Sequence, residues 1–175
     1  LSVFKNRSFL SAPIDSLEFL STYVGSASDA SFIINNFFSS SITVSNITSS
    51  SNKFSIIGAT NFIVAAGGSH TVVVRYTPTT AQTDTGTLSI FPSGYPVEKV
   101  SLRGTGKTPV AVIGVIPTSL SFGSTTVGKT SDLILNISNS GQLGLNVTNI
   151  THSNNHFSIT SPVSFTVPPG ETVPI

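Results

Sequence analysis

The stretch 17–36, LEFLSTYVGSASDASFIINN, can be set over 120–139, LSFGSTTVGKTSDLILNISN. The offset of 103 residues holds without a gap from Leu17/Leu120 to Val72/Ile175, with 22 identities in 56 positions. They include Phe19/Phe122, Val24/Val127, Gly25/Gly128, Asp29/Asp132 and Ile34/Ile137. Further along, VSNITSSSNKFSI (44–56) matches VTNITHSNNHFSI (147–159), followed by Phe62/Phe165, Val64/Val167 and Gly67/Gly170. Self-similarity at a fixed period marks tandem structural units, so a reading of either copy constrains the other.

This constraint disposes of a motif. Residues 123–130, GSTTVGKT, read Gly-x-x-x-x-Gly-Lys-Thr, the fingerprint of a phosphate-binding loop. Such a loop needs a helix that begins at the Lys-Thr, so that loop amides and the helix N-terminus hold the phosphates. Here Leu133, Leu135 and Ile137 alternate with Ile134, Asn136 and Ser138, a period of two that predicts a strand. The equivalent stretch of the first copy, LSTYVGSA (20–27), lacks the first Gly, the Lys and the final hydroxyl. Gly25 and Gly128 are expected in a turn, where glycine tolerates positive φ. Lys129 is then a loop or strand-edge residue, and no nucleotide is expected at Gly123–Thr130.

Period-two alternation runs through the whole first copy. It predicts a first strand split at Pro13 and Asp15 into 9–14 and 16–20. The next strand is 28–36 with Ala30, Phe32 and Ile34 on one face, then 41–48 with Ile42 and Val44. Short strands follow near Phe54 and Ile56 and near Phe62 and Val64. Residues 70–78 place Val72, Val74 and Tyr76 inward, 86–91 place Leu88 and Ile90, and 98–104 place Val100 and Leu102. Turn signals separate them: Gly67-Gly68, TPTTAQTDTG (77–86) and PSGYP (92–96). The stretch VAVIGVI (110–116) reads as a strand entering the second copy. Seven to nine short strands per copy and no helical periodicity predict an all-β chain of tandem immunoglobulin-like antiparallel sandwiches. The expected boundaries are 1–8 for a leader or linker, 9–106 for the first sandwich and 107–175 for the second. The first closes at Gly106, so the second is expected to close 103 residues later, beyond Ile175; its last two strands lie outside this sequence.

Composition excludes several function classes. The 175 residues carry 9% charged side chains and a net charge of +1, so there is no basic field for nucleic acid. Cys, Met and Trp are absent, which removes disulfides and thiolate metal sites. Ser and Thr number 52 and Asn 12, mixed with Val, Ile, Phe and Leu, a blend suited to strands and turns. No apolar run is long enough to span a membrane as a helix.

The order of short motifs resembles the Hydin and abnormal-spindle (ASH) class of immunoglobulin-like repeats, related to the major sperm protein fold. Its bacterial branch occurs in choice-of-anchor D surface proteins. The matching marks are LSFG (120–123), NSG (139–141), PPGE (168–171), YTPT (76–79), TGTL (85–88) and GTG (104–106). The resemblance covers the chain from about residue 12. The first copy departs from it, with NFF (36–38) where the second has NSG and LEFL where the second has LSFG. Phe37 and Phe38 are expected in a turn, facing a neighbour. The resemblance implies a non-enzymatic module for scaffolding, adhesion or surface display.

The remaining candidates read as structure. His152 and His156 have a zinc-pair spacing that converges only on a helix, and this stretch reads as a loop. Their equivalents are Ser49 and Lys53. The acids Asp15, Glu18, Asp29, Asp84, Glu98, Asp132 and Glu171 are scattered, whereas calcium and paired-carboxylate sites cluster them. Asp29 and Asp132 recur and are expected as turn or strand-start caps. Glycosylation sequons at Asn6, Asn46, Asn136, Asn146 and Asn149 barely exceed the roughly three or four that chance gives. No catalytic, cofactor or metal residue is assigned. The leading expectation is a structural or adhesive module of a secreted or surface protein with protein partners or self-association. The alternatives are an intracellular scaffold of the ciliary or centrosomal kind, or a carbohydrate-binding accessory module. The leader LSVFKNRSFL (1–10), with Val3 and Phe4, is a candidate strand for completing another copy, which would give filaments.

Overall fold

A computed structural model describes residues 10–11 and 15–175. The chain divides into two compact units with the boundary between Thr108 and Pro109. In the first, the strands are β1 (Leu10–Ser11), β2 (Ser16–Glu18), β3 (Thr22–Tyr23), β4 (Ser28–Asn36), β5 (Ile42–Ser49), β6 (Phe54–Ile57), β7 (Phe62–Val64), β8 (Ser69–Tyr76), β9 (Thr83–Pro92) and β10 (Glu98–Lys107). They form two sheets, β1-β4-β8-β6 and β2-β10-β9-β5-β7, with β3 continuing β2 along β10. Every pairing is antiparallel except those of β2 and β3, which run parallel to β10. The split of the first strand is a change of sheet: β1 pairs β4 on one sheet, and β2 pairs β10 on the other.

Each sheet turns one face inward, so the alternation in the sequence becomes the core. Phe19, Phe32, Ile34, Val72, Val74, Leu88 and Leu102 are all buried, together with Ile42, Val44, Ile47, Phe54, Val64, Tyr76, Ile90 and Val100. Phe19, Phe54 and Tyr76 form an aromatic centre with ring centroids 5.0–5.7 Å apart. A bulge between Val44 and Asn46 shifts the phase of β5, so Ile47 rather than Asn46 points inward.

The second unit comprises β11 (Ile113–Ile116), β12 (Asn136–Asn139), β13 (Leu145–Val147), β14 (Phe165–Val167) and β15 (Thr172–Pro174). Its sheets are β11-β12-β15 and β13-β14. The register repeats that of the first unit. Ile113 faces Asn139 as Leu10 faces Asn36, and Leu145 faces Val167 as Ile42 faces Val64. The repeat therefore reaches back to residues 10 and 113. One expectation is corrected: the strand after Lys129 starts at Asn136, not near Leu133. In the first unit, residues 28–31 are held by Val73–Tyr76. Their counterparts 131–134 have no such partner among the described residues, and an unpaired segment does not make a strand.

Candidate functional site

The end of the first sandwich is built on one buried amide. Asn36, 1% exposed, closes β4. Its Nδ2 donates to the carbonyls of Ser40 (2.8 Å), Ala65 (3.0 Å) and Val64 (3.1 Å), sharing its two hydrogens among three acceptors. Its Oδ1 accepts from the Phe38 amide at 3.0 Å. One side chain thus hangs the turn after β4 on the end of β7. The Gly67 amide adds a bond to the Phe38 carbonyl, with Gly67 at φ +62°.

That turn presents Phe37 and Phe38. Phe37 is 66% exposed. Phe38 is half-buried, packs on the edge of the core and lies tilted against Tyr95, with ring centroids 5.0 Å apart. Tyr95 lies in the β9–β10 turn, which is tied to β5 by the Ser93 amide on the Thr43 carbonyl at 2.8 Å. Phe37, Tyr95 and Val97 are exposed apolar groups on turns that Phe38 joins. Val3 and Phe4, the other two residues singled out, lie outside the described residues.

The second unit has the same anchor. Asn139 Nδ2 donates to the carbonyls of Leu143 (2.6 Å) and Val167 (3.0 Å), and its Oδ1 accepts from Gly141 (3.0 Å) and Val112 (3.1 Å). Ser140 and Gly141 stand where the first unit has Phe37 and Phe38. Gly141 is needed there: a Cβ on it would lie 2.2 Å from the Val110 carbonyl oxygen. The same turn is therefore a backbone crossing in one unit and an aromatic display in the other.

Other candidates are placed plainly. Residues 123–130 form turns with Gly123 and Gly128 at φ +64° and +81°, and the Lys129 amide closes a turn on the Thr126 carbonyl. No helix begins at Lys129. His152 and His156 lie in an exposed turn organised by Asn154. Among the described residues no group of three His, Cys, Asp or Glu could hold a metal. Asp29 is not a cap: it forms a bidentate ion pair with Arg75 across β4 and β8, both bonds 2.7 Å. The bonds from Arg75 hold its carboxyl below the usual value. Asn46, Asn136, Asn146 and Asn149 are exposed; Asn6 lies outside the described residues.

Sequence reasoning missed one buried polar pair. The Tyr76 phenol donates to Asp84 Oδ2 at 2.8 Å, and Gln82 donates to Asp84 Oδ1 at 3.2 Å. Burial, reinforced by the Asp84 carboxylate, raises the phenol's pKa well above its ordinary 10. The signal was in GTG (104–106). A Cβ on Gly104 would sit 2.5 Å from the Tyr76 ring, and one on Gly106 would sit 2.1 Å from the Thr80 carbonyl oxygen. These residues are the inner wall of β10, not merely an exit from the domain.

No family model matches the chain, and no curated protein does. Among solved structures, PapD-like domain 7 of human CEP192, an ASH/PapD-like domain, is similar at 12% identity and TM-score 0.48, over 57% of this chain and 86% of its own. A protein of unknown function from Porphyromonas gingivalis is similar at 14% identity and TM-score 0.49, over 95% of this chain and 81% of its own. The Pseudomonas aeruginosa CupB2 chaperone is similar at 10% identity and TM-score 0.45, over 94% and 87%. The class that the sequence resembles is thus among the similar folds. At these identities the likeness concerns fold alone, and the immunoglobulin-like sandwich rests on the strand pairing itself.

Proposed function

We propose that the chain is a structural and adhesive repeat module of a secreted or cell-surface protein, contacting a protein partner or another copy through the turn that carries Phe37. The observation that carries this reading is the contrast between the two copies. One anchor, Asn36 or Asn139, holds the same turn in both, and only the first copy fills it with aromatic side chains, one of them 66% exposed. The buried polar side chains Asn36, Asn139, Thr22 and Asp84 all make hydrogen bonds within the scaffold, which suits a module that works by its surface. Residues 1–8, 9–106 and 107–175 are proposed as leader, first module and second module.

Antibodies raised against the chain test the location: they should label intact cells of the producing organism. Labelling only after permeabilisation would replace this reading with that of an intracellular scaffold. A photo-crosslinking phenylalanine analogue at position 37 tests the contact. It should give a defined adduct on the cell surface, and the same analogue at the exposed Ser55 of the sheet face should not.

A further inference from the structure

Four glycosylation sequons lie among the described residues, at Asn46, Asn136, Asn146 and Asn149. Their number is near chance, but the structure separates them by what a transferase can reach. Two of them are one position of the repeat: Asn46-Ile47-Thr48 and Asn149-Ile150-Thr151 stand 103 residues apart. The other two have no counterpart, since Ile33 and Thr43 stand where the second copy has Asn136 and Asn146.

The bulge in β5 sets the geometry at Asn46. Residues two apart on a strand share a face, and Asn46 and Thr48 are both exposed, with Ile47 buried between them. Asn46 Oδ1 accepts from the Ile47 amide at 2.9 Å, while its Nδ2 makes no hydrogen bond among the described residues. The Thr48 hydroxyl makes none either. The core explains why Ile47 recurs as Ile150, and the bulge explains Asn46; neither explains a threonine at both 48 and 151. The backbone is accessible as well. β7 pairs β5 only at Ile42–Val44, so from Ser45 onward the strand has a ladder on one side alone, to β9, and that ladder shifts between Val44 and Asn46. By contrast Asn136 is held between β11 and β15, and Asn146 Oδ1 accepts from the Thr166 hydroxyl at 2.8 Å.

We propose that Asn46 is an N-glycan acceptor, an inference that rests on the secreted or surface reading. In the transfer, Asn46 Nδ2 bonds to the anomeric carbon of a glycosyl diphosphate donor. The sugar–phosphate bond breaks, the diphosphate leaves with the electron pair, and the amide proton passes to a base of the transferase. The Thr48 hydroxyl, on the same face, is the group that marks the asparagine as an acceptor. A bulky hydrophilic chain at this point stands beside the open edge of β5, where an exposed ladder invites pairing with another strand.

The test is made on the chain isolated from the producing organism, by measuring the masses of its proteolytic peptides. The peptide with Asn46 should carry a glycan, and those with Asn136 and Asn146 should not. Thr48→Ala should lose the glycan at Asn46 and Thr48→Ser should keep it, with the urea midpoint of both variants unchanged because the side chain is exposed and unbonded. A bare Asn46 peptide overturns the proposal, whatever the state of the other sequons. Occupancy that survives Thr48→Ala overturns it too. So does equal occupancy at Asn136 and Asn146, since the bulge and the open edge would then select nothing. Antibody labelling of intact cells is read independently of the glycan, so labelled cells that yield a bare chain sink the acceptor alone and leave the surface reading standing.

Discussion

A single side chain, Asn36, joins a turn, a strand end and a second loop, and its loss should be felt as more than one hydrogen bond. Asn36→Ala removes the side-chain bonds to the Phe38 amide and to the Ser40, Val64 and Ala65 carbonyls. The expected cost is about 1–3 kcal/mol, read from the shift of a urea unfolding curve. Tyr76 makes a prediction of a different kind. Its phenol pKa is raised by burial and by Asp84, so the neutral form is favoured in the folded state. That contribution is present in full below the unfolded value of 10 and is lost as pH rises beyond it toward the folded value. Stability should therefore fall above pH 10, and Tyr76→Phe should flatten this alkaline limb while costing about 1–3 kcal/mol at neutral pH. A pH series of unfolding midpoints for both proteins checks it. At this scale the sequence held the signal without its meaning. Asn35 and Asn36 are adjacent and chemically alike; only the recurrence of Asn36 at Asn139, against Ser138 opposite Asn35, marks which one is the anchor. The Tyr76–Asp84 pair was hidden because the partners lie on strands joined by an irregular crossing.

Strands were the most legible level, because a two-residue period needs only one buried face to become visible. The inward residues Phe32, Ile34, Val72, Val74, Tyr76, Leu88, Ile90, Val100 and Leu102 could all be read. Phe32→Ala should cost roughly 2–5 kcal/mol, and a shift below about 0.5 kcal/mol in chemical denaturation would contradict its place at 4% exposure in the core. Two element-level features were not legible. The bulge in β5 breaks the period at a place where Ser45 and Asn46 could equally sit in or out. The strand after Lys129 shortens because alternation states which face a segment would show, not whether a partner exists to pair with it. Glycines carry a further prediction. Gly104→Ala forces a methyl group into the Tyr76 ring and should cost at least about 1–3 kcal/mol. Gly94→Ala meets no atom but sits at φ +79°, so its cost comes from the backbone alone and a smaller urea shift is expected. The turn at Gly123–Thr130 should show no heat of binding for ATP–Mg²⁺ in calorimetry. Micromolar affinity that vanishes in Lys129→Ala would restore the phosphate-loop reading.

At the scale of the whole chain, the first unit owns a closed core, and it should answer denaturant as a unit of its own. Residues 1–108 alone should unfold cooperatively at the urea midpoint that the first unit shows in the full chain. A midpoint lowered by the equivalent of about 2 kcal/mol or more would mean that the first unit draws its stability from outside itself. The tandem was legible because the offset of 103 residues repeats without a gap.

The parallel pairing of the first unit's opening strands with its closing strand has a mechanical consequence. The chain enters this ladder at Ser16 beside Ser101 and leaves it at Lys107 beside Tyr23. Tension applied along the polypeptide pulls β2 and β10 past each other lengthwise. The bonds from Ser101 to Asp15, Phe19 to Arg103 and Val24 to Lys107 are then strained together in shear. Peeling a hairpin breaks such bonds one after another, whereas here they must fail as a set. A module that is hauled on from both ends, as a link in a surface-tethered string would be, has its grip where the pull arrives.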